Sequence, residues 1–316
     1  MEQQRQRVND SKLTIVPSPN RSSGPGAEAP PRPAAATPAE APPSPWTEAA
    51  ATPSVRTGGA WPDWWPPRWI RRADPAADGV HNMAIDLALL DLAAEQGVAT
   101  VRTYDWRGPT VSFGRNERVR ATWDVAGLRA SGFAVVRRPT GGRALLHGAD
   151  LTYAVALPLP PSVSWRAAYA AVNASLLAAL HRLGVPATLV HDAPALAPDG
   201  LACFAAPAEG EIVVDGRKLV GSAVWRTPRA YLQHGSVLLR DTQAQLDRFR
   251  VAPGTTAIAV APAGELTAWC RRDTACAALH EAFDGASADA SHDDAVAFAS
   301  EAHRRTLMTS SWLWRR

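Results

Sequence analysis

One lysine stands apart in this chain. Of the 33 lysine and arginine residues only two are lysine, Lys12 and Lys218, and Lys218 follows Arg217 directly in the run GEIVVDGRKLVGSAVWR. The arginine neighbour shows that the local surface accepts a guanidinium. A lysine here therefore indicates a task for a compact ammonium that donates to one oxygen in a narrow site. A residual lysine on a solvated β-turn is the alternative interpretation.

A cysteine precedes this lysine by 15 positions. Cys203 lies in the stretch GLACFAAPAEGE, and a cysteine becomes a nucleophile when positive charge or a hydrogen-bond donor stabilises its thiolate. The alternative is a small buried hydrophobic residue, which is the usual role of a free cysteine. Cys270 and Cys276 lie in or beside a helical pattern with no other metal-type ligands nearby in sequence. We interpret them as packing residues and expect no metal site.

A glycine-rich loop is the third candidate. It runs from Arg137 to His147 with the sequence RRPTGGRALLH. Paired glycines let backbone N–H groups approach an anion or a carbonyl closely, and the arginines add positive charge. The loop matches neither the GxxxxGK[ST] nor the GxGxxG phosphate-binding pattern. An ordinary hairpin turn is therefore the alternative interpretation.

The elements that must position these residues are a mixture of strands and helices. HNMAIDLALLDLAAEQG predicts an amphipathic helix that ends at Gly97. Two short strands, ATVRTYDW and PTVSFG, follow with the turn 107–109 between them, and Asp215-Gly216 indicates a hairpin before the strand of Lys218. WRAAYAAVNASLLAALHRLGV predicts a long helix. Mixed strands with helices on one side predict an α+β fold.

Composition limits the folded part of the chain. Eleven of the 27 prolines lie between Pro17 and Pro53, so residues 1–60 cannot bury enough apolar surface to order and are predicted to be disordered. We expect a catalytic domain at 61–250 and a helical extension at 251–316 that packs on it. The net charge of +3 argues against a nucleic-acid surface. No stretch approaches the ~18 apolar residues of a membrane span. An odd cysteine set and the lack of an apolar signal region favour the cytoplasm.

Taken in order, several segments resemble the biotin/lipoate protein ligase superfamily, in particular its lipoate-protein ligase A and octanoyltransferase branch. VVRRPTGGRALLHGADLTYAV is similar to the first signature, and GEIVVDGRKLVGSAVWR followed by YLQHGSVLL is similar to the second. HNMAIDLALL and RTYDWRGPTVSFGR match the opening helix and first hairpin of the family. The resemblance covers about residues 61–250 and implies that family's α+β catalytic-domain fold, with mixed and antiparallel sheets and packed helices.

The resemblance implies roles for individual residues. Lys218 matches the lysine that contacts the acyl carbonyl or the acyl-phosphate of an adenylate. The loop that lines the acyl and adenylate pocket is matched by Arg138, Gly141, Gly142 and His147. The strand against the acyl chain is matched by Gly221, Ser222 and Ala223, and the closing His-Gly element is matched by His234 and Gly235.

The motif CF…E…GRK, from Cys203 to Lys218, matches the branch in which a cysteine carries octanoyl as a thioester. We therefore expect an acyltransferase with Cys203 as nucleophile and Lys218 as donor to the carbonyl oxygen. It moves octanoyl from acyl carrier protein to a lysine of a lipoyl domain or of glycine-cleavage H protein, without a cofactor. One alternative is a lipoate-protein ligase that uses ATP and Mg to form lipoyl-adenylate. The other is a non-catalytic module that binds lipoyl domains or acyl carrier protein.

Three places depart from the family pattern. Val224 stands where a glutamine is usual, Asn116-Glu117 where the first hairpin normally ends in glutamine, and Gly148 where an acidic residue is common. We expect Val224 to remove one polar contact from the pocket, and all three changes to bear on substrate detail.

Overall fold

The computed structural model describes residues 61–191, 208–251 and 264–315, all of which belong to one unit of the chain, Ser44–Arg316. Cys203 and the segment 1–60, for which disorder is predicted, lie outside the described residues. The strands are β1 (Trp69–Ala73), β2 (Thr100–Tyr104), β3 (Thr110–Phe113), β4 (Ala134–Arg137), β5 (Leu145–His147), β6 (Asp150–Pro158), β7 (Thr188–Leu189), β8 (Ile212–Val214), β9 (Arg217–Arg226), β10 (Ala230–Leu238) and β11 (Gly285–Ser287). The α-helices are α1 (Gly79–Gln96), α2 (Val119–Thr122), α3 (Val125–Ala130), α4 (Trp165–Arg182), α5 (Arg272–Glu281), α6 (Ala290–Leu307) and α7 (Ser310–Leu313), with 3₁₀ turns at Gln243–Phe249 and Leu266–Ala268.

Within the described ranges the strands form two sheets. The main sheet has the order β11-β1-β2-β6-β10-β9-β8-β7, and the small sheet has the order β4-β3-β5. In the main sheet β1 runs parallel to β11 and β2, and the remaining neighbours are antiparallel. In the small sheet β3 is parallel to β4 and antiparallel to β5. These mixed sheets with packed helices confirm the predicted α+β class.

The expected hairpin of β2 and β3 does not form. β2 pairs with β1 and β6 in the main sheet, whereas β3 pairs with β4 and β5 in the small one. A bridge between Ala77 and Trp106 and a hydrogen bond from the Trp106 indole to Thr152 hold the connection as it crosses between the sheets. Gly148 makes the second crossing, from β5 to β6, with a φ of 123° that favours glycine. A turn signal in the sequence marks where the chain bends but does not specify its partner strand.

Helices cover both faces of the main sheet, not one as expected. Leu151, Tyr153 and Val155 on β6 face the cluster that contains α4 and α5. Ala154 and Ala156, on the alternate positions, face α1 and α6. A strand that is apolar at both sets of positions must be buried on both sides, so the central strands require two helical layers.

Two of the long helices, α1 and α4, begin as their sequences indicate. Asp78 caps α1 by accepting from the backbone N–H of His81, and Gly97 ends it with a φ of 71°. Ser164 caps α4 in the same way. None of the helices in the described part of the chain is long and apolar enough to cross a lipid bilayer.

Candidate active site

A pocket lies between the two sheets, with α1 on one side. Residues from seven of the named elements and from the glycine-rich loop line it, so the pocket exists only after both sheets have assembled. The lining residues are Met83, Tyr104, Trp106, Ser112, Arg138, Leu145, His147, Thr152, Gly221, Ser222, Ala223, His234, Gly235 and Ser236.

His147 anchors one wall of the pocket through a chain of buried hydrogen bonds. Its Nδ1 lies 2.8 Å from Oδ2 of Asp150, and its Nε2 lies 2.8 Å from Oγ of Ser112. The Ser112 oxygen also accepts a bond of 3.1 Å from Nη1 of Arg138. Because a carboxylate only accepts, Nδ1 of His147 carries the proton and Nε2 is free to accept from the serine hydroxyl.

The order Ser–His–Asp is that of a hydrolase triad, but the surroundings of Ser112 indicate a different role. Ser112 is 1% exposed and lies within β3, with Arg138 already bonded to its oxygen. Its hydroxyl therefore supports the ring of His147, while Trp106 stacks on the same ring with centroids 4.0 Å apart.

Asp150 is the buried charge at the centre of this wall. Burial disfavours its ionised form, but His147 and the hydrogen bonds from Ser236 and the Gly148 backbone hold the pKa of Asp150 below its ordinary value. The Ser236 hydroxyl is 2.5 Å from Oδ2, the Gly148 nitrogen 2.9 Å from Oδ1 and the Thr152 hydroxyl 3.0 Å from Oδ2. The carboxylate thus ties β5, β6 and β10 together under the pocket.

A second aspartate–histidine pair joins α1 to the glycine-rich loop. Nδ1 of His234 lies 2.8 Å from Oδ2 of Asp86, and its Nε2 lies 2.6 Å from the Thr140 hydroxyl in the loop. Arg102 donates to the other carboxylate oxygen over 2.6 Å, and Tyr104 donates to Oδ2 over 3.0 Å. One carboxylate therefore positions a pocket histidine and, through it, the loop.

The charge states of this pair follow from its surroundings. Burial opposes ionisation of Asp86, but Arg102 and His234 outweigh it and lower the pKa of Asp86. Burial lowers the pKa of His234 and outweighs the opposing effect of Asp86. At neutral pH His234 is therefore uncharged, donates from Nδ1 to Asp86 and accepts from Thr140 at Nε2.

The polar side chains of the pocket satisfy one another, which leaves the pocket with an apolar character. Among the described residues, the buried polar atoms without a hydrogen-bond partner all lie away from the pocket walls. A ligand with many hydroxyl or phosphate groups would find few unpaired groups there. An apolar chain would contact ring faces, aliphatic groups and glycine backbone, so the walls suit such a chain.

Gly235 is needed for the close approach of three strands at the pocket. A Cβ at this position would overlap the carbonyl oxygen of Gly221 and the Tyr153 hydroxyl. That hydroxyl is 2.7 Å from Oγ of Ser222, and burial raises the pKa of Tyr153 to about 12. The glycine thus makes room for a neutral Tyr153–Ser222 pair.

Arg138 shapes the glycine-rich loop from inside. Its guanidinium donates to the carbonyl oxygens of Ser112, Gly141 and Arg143 over 2.7 to 3.0 Å. Gly142 has a φ of 87°, and a Cβ there would meet this guanidinium. Gly141 and Gly142, which were predicted to bind substrate, do not line the pocket in the described part of the chain.

Lys218 is buried at the start of β9, three residues before Gly221, and is not among the lining residues of the pocket. Its Nζ lies 2.8 Å from Oε1 of Glu211, and Oε2 of Glu211 accepts from the backbone N–H of Ala208 over 2.7 Å. At 3% exposure, Lys218 is not a residual lysine on a solvated turn, and that interpretation is wrong. Cys203, predicted as the nucleophile, lies outside the described residues.

The structure brings together most of the residues that the sequence singled out for the acyl pocket, and their substrate roles stay predictions. Seven of the predicted residues line one cavity: Arg138, His147, Gly221, Ser222, Ala223, His234 and Gly235. Sequence reasoning missed Asp86 and Asp150, which hold the two histidines. A signal for Asp86 was present, because an acidic residue at a buried position of the apolar helix α1 needs a partner.

Two of the departures from the family pattern have a structural explanation. Val224 packs against the hydrophobic cluster that contains α4 and α5 and is not among the lining residues. The expected loss of a polar pocket contact stays a prediction. Glu117 accepts from the backbone N–H of Gly114 over 3.1 Å and from the Trp123 indole over 2.8 Å. It therefore holds the end of the small sheet and does not reach the pocket.

Comparison with protein families gives one match that spans most of the described chain. The family described as "Lipoyl protein ligase A/B catalytic domain" matches residues 78–282. This range includes both aspartate–histidine pairs and the Lys218–Glu211 pair.

Among curated proteins, octanoyltransferase LipM of Geobacillus kaustophilus is 40% identical over 170 residues, which cover 50% of this chain and 60% of that protein. Octanoyltransferase LipM of Staphylococcus aureus is 37% identical over 173 residues, which cover 51% and 62%. The chain therefore spans about three fifths of the length of these curated relatives.

Solved structures show the same fold at low sequence identity. The bipartite lipoate protein ligase of Thermoplasma acidophilum superposes with a TM-score of 0.63 at 18% identity, over 78% of this chain and 95% of that one. A lipoate-protein ligase A bound with ATP gives 0.61 at 18% identity, over 78% and 97%. These similarities confirm the predicted catalytic-domain fold.

Proposed function

The chain belongs to the lipoyl protein ligase A/B catalytic domain family, and we propose that it acts there as an octanoyltransferase. The proposed reaction moves octanoyl from acyl carrier protein to the ε-amino group of a lysine in a lipoyl domain or in glycine-cleavage H protein. The match to LipM octanoyltransferases over half of the chain supports this choice.

The apolar pocket with internally paired polar walls is the observation that carries the proposal. Both nitrogens of His147 and of His234 are bonded within the protein, and Tyr153 is paired with Ser222. A saturated acyl chain needs walls of this kind, because it offers no hydrogen bonds to compensate unpaired groups. Small residues on β9 and β10, among them Gly221 and Gly235, line this pocket and present little side chain to it.

Cys203 is the proposed nucleophile of a two-step transfer. Its thiolate attacks the thioester carbonyl of the donor, the carrier thiol leaves with the proton that Cys203 gave up, and octanoyl is held as a thioester on Cys203. The neutral amine of the acceptor lysine then attacks this thioester. The amide forms as Cys203 regains a proton from the attacking amine. Exchange between thioesters is near balance and the amide is more stable, so the reaction needs no ATP.

Lys218 is the proposed donor to the carbonyl oxygen on which negative charge develops in both steps. Such a donor contributes about 3–4 kcal/mol where water is excluded. Burial of Lys218 next to Glu211 supplies the water-excluded setting. In sequence, Cys203 lies five residues before Ala208, whose backbone N–H donates to Glu211.

The main alternative is a lipoate-protein ligase that uses ATP and Mg to form lipoyl-adenylate. An adenylate site needs cations for the phosphate. In this structure the Arg138 guanidinium donates to the carbonyls of Ser112, Gly141 and Arg143. Because the Arg138 guanidinium already donates to these backbone carbonyls, a role in shaping the loop is favoured over phosphate binding. A non-catalytic lipoyl-domain or acyl-carrier binding module is the alternative of another class.

Intact-protein mass spectrometry distinguishes these functions. The purified chain is incubated with octanoyl-acyl carrier protein without ATP, and then with a lipoyl domain. We expect one octanoyl adduct that hydroxylamine removes, followed by transfer to the acceptor. Cys203→Ala should abolish the adduct, and Cys276→Ala, a thiol distant in sequence, should retain it. Acyl transfer by Cys203→Ala at the wild-type rate would overturn the proposal. Activity only with lipoate and ATP would establish the ligase, and binding without transfer would establish the module.

A further inference from the structure

Burial divides the pocket residues into a partly exposed group and a buried group. Ser222, Ala223 and Gly235, on β9 and β10, are partly exposed and form the mouth. The lining residues outside β9 and β10 are all buried and form the inner end, among them Met83 on α1 and Tyr104 on β2 at 2% and 1% exposure. An acyl chain that enters with its carbonyl at the mouth therefore points its methyl end toward this buried group, to which Met83 of α1 belongs.

The aromatic side chains at the inner end are held in place. Tyr104 donates to Asp86 over 3.0 Å, and the Trp106 indole donates to Thr152 over 2.8 Å. Moving either ring would break a buried hydrogen bond, which is costly. The inner wall therefore keeps its shape at these two positions.

Met83 differs from these aromatic neighbours. It lies among the apolar residues of the cluster around α1, and its unbranched thioether side chain has three rotatable bonds and no strong hydrogen-bonding group. Its length thus decides how far the cavity extends toward α1. We propose that Met83 sets the length of the acyl chain that the pocket accepts, an inference that rests on the proposed function.

Shortening Met83 should lengthen the accepted chain. Met83→Ala removes three heavy atoms, which leaves room for about two methylene groups. Each methylene newly buried strengthens binding about fourfold, so the preference for decanoyl over octanoyl should rise by about fifteenfold. Met83→Val should give a smaller rise of about fourfold, and Met83→Phe should shift the preference toward hexanoyl.

The test is a competition between hexanoyl-, octanoyl-, decanoyl- and dodecanoyl-acyl carrier protein, read as the ratio of the acylated products on a lipoyl domain. Calorimetry with free fatty acids of the same chain lengths gives the corresponding ratio of binding affinities, which does not depend on acyl transfer. Met308→Ala is the matched control, because Met308 is 68% exposed and its truncation should leave both ratios unchanged.

The two measurements separate the possible failures. If wild type binds fatty acids but transfers none, the transferase proposal fails, and the binding ratios still decide on Met83. If folded Met83→Ala or Met83→Val keeps the wild-type ratio within twofold in both assays, the role of Met83 is overturned. If wild type binds no fatty acid and transfers no acyl group, both proposals are overturned. A variant with an altered melting temperature and an unchanged ratio assigns Met83 to packing alone.

Discussion

The buried pair of Lys218 and Glu211 gives the sharpest test of what the isolated lysine does. The two side chains are 2% and 7% exposed, and Nζ lies 2.8 Å from Oε1. Lys218→Met leaves a buried carboxylate without its charged partner, which should cost about 3–5 kcal/mol of unfolding free energy. Glu211→Gln keeps an acceptor for the ammonium and should cost less, about 1–3 kcal/mol.

The double variant Lys218→Met with Glu211→Gln should recover most of this loss, because replacing both charges of a buried pair is often nearly neutral. Urea unfolding of wild type, the two single variants and the double variant gives the four unfolding free energies of a double-mutant cycle. We expect an interaction free energy of at least about 1 kcal/mol between the two side chains. Single-turnover octanoyl transfer is measured on the same proteins. The double variant should be folded and still lose ~10²–10³ in rate, since its carbonyl donor is gone.

Lys218→Arg completes this test. The cation remains, but the planar guanidinium is bulkier than the ammonium and meets tight surroundings, so we expect a loss of about 1–3 kcal/mol from overpacking and at least ~10² in transfer rate. If the losses of unfolding free energy in the two single variants sum to the loss in the double variant within about 0.5 kcal/mol, the coupling is refuted. A transfer rate within about fivefold of wild type in Lys218→Arg or in the double variant would refute the catalytic role, whatever the stability.

Two further predictions concern the pocket walls. Gly235→Ala places a Cβ against the Gly221 carbonyl and the Tyr153 hydroxyl, so we expect the melting temperature to fall by several degrees and acyl binding to be lost; an unchanged melting temperature would contradict the packing described. The lowered pKa of Asp150 means that its stabilising contribution is present above the ordinary aspartate value and is lost as the pH falls toward the folded value. Wild type should therefore lose stability between about pH 5 and pH 3, and Asp150→Asn should show a shallower loss in urea titrations over that range; identical slopes would show that Asp150 does not contribute.

Several features of this protein could be predicted from the sequence because they depend on local interactions. Periodic apolar residues and a terminal glycine determine α1, and Gly97 ends it in the left-handed conformation. Asp215 and Gly216, with φ of 50° and 71°, form the predicted turn between β8 and β9. The rarity of lysine was also informative, because a solitary lysine beside arginine proved to be a buried group in an ion pair.

Other features were decided only by the tertiary structure, because they depend on which distant segments meet. Asp86 and His234 are 148 positions apart, and nothing local to either distinguishes a buried partner from a surface residue. The same holds for β2 and β3, since a turn between them is compatible with a hairpin and with a crossing between two sheets. Val224 packs against the cluster that contains α4 and α5 because strand pairing sets which side chains of β9 face which layer. The residues that could do chemistry were readable from type and spacing, whereas the carboxylates that orient them became visible only when long-range packing placed them in contact.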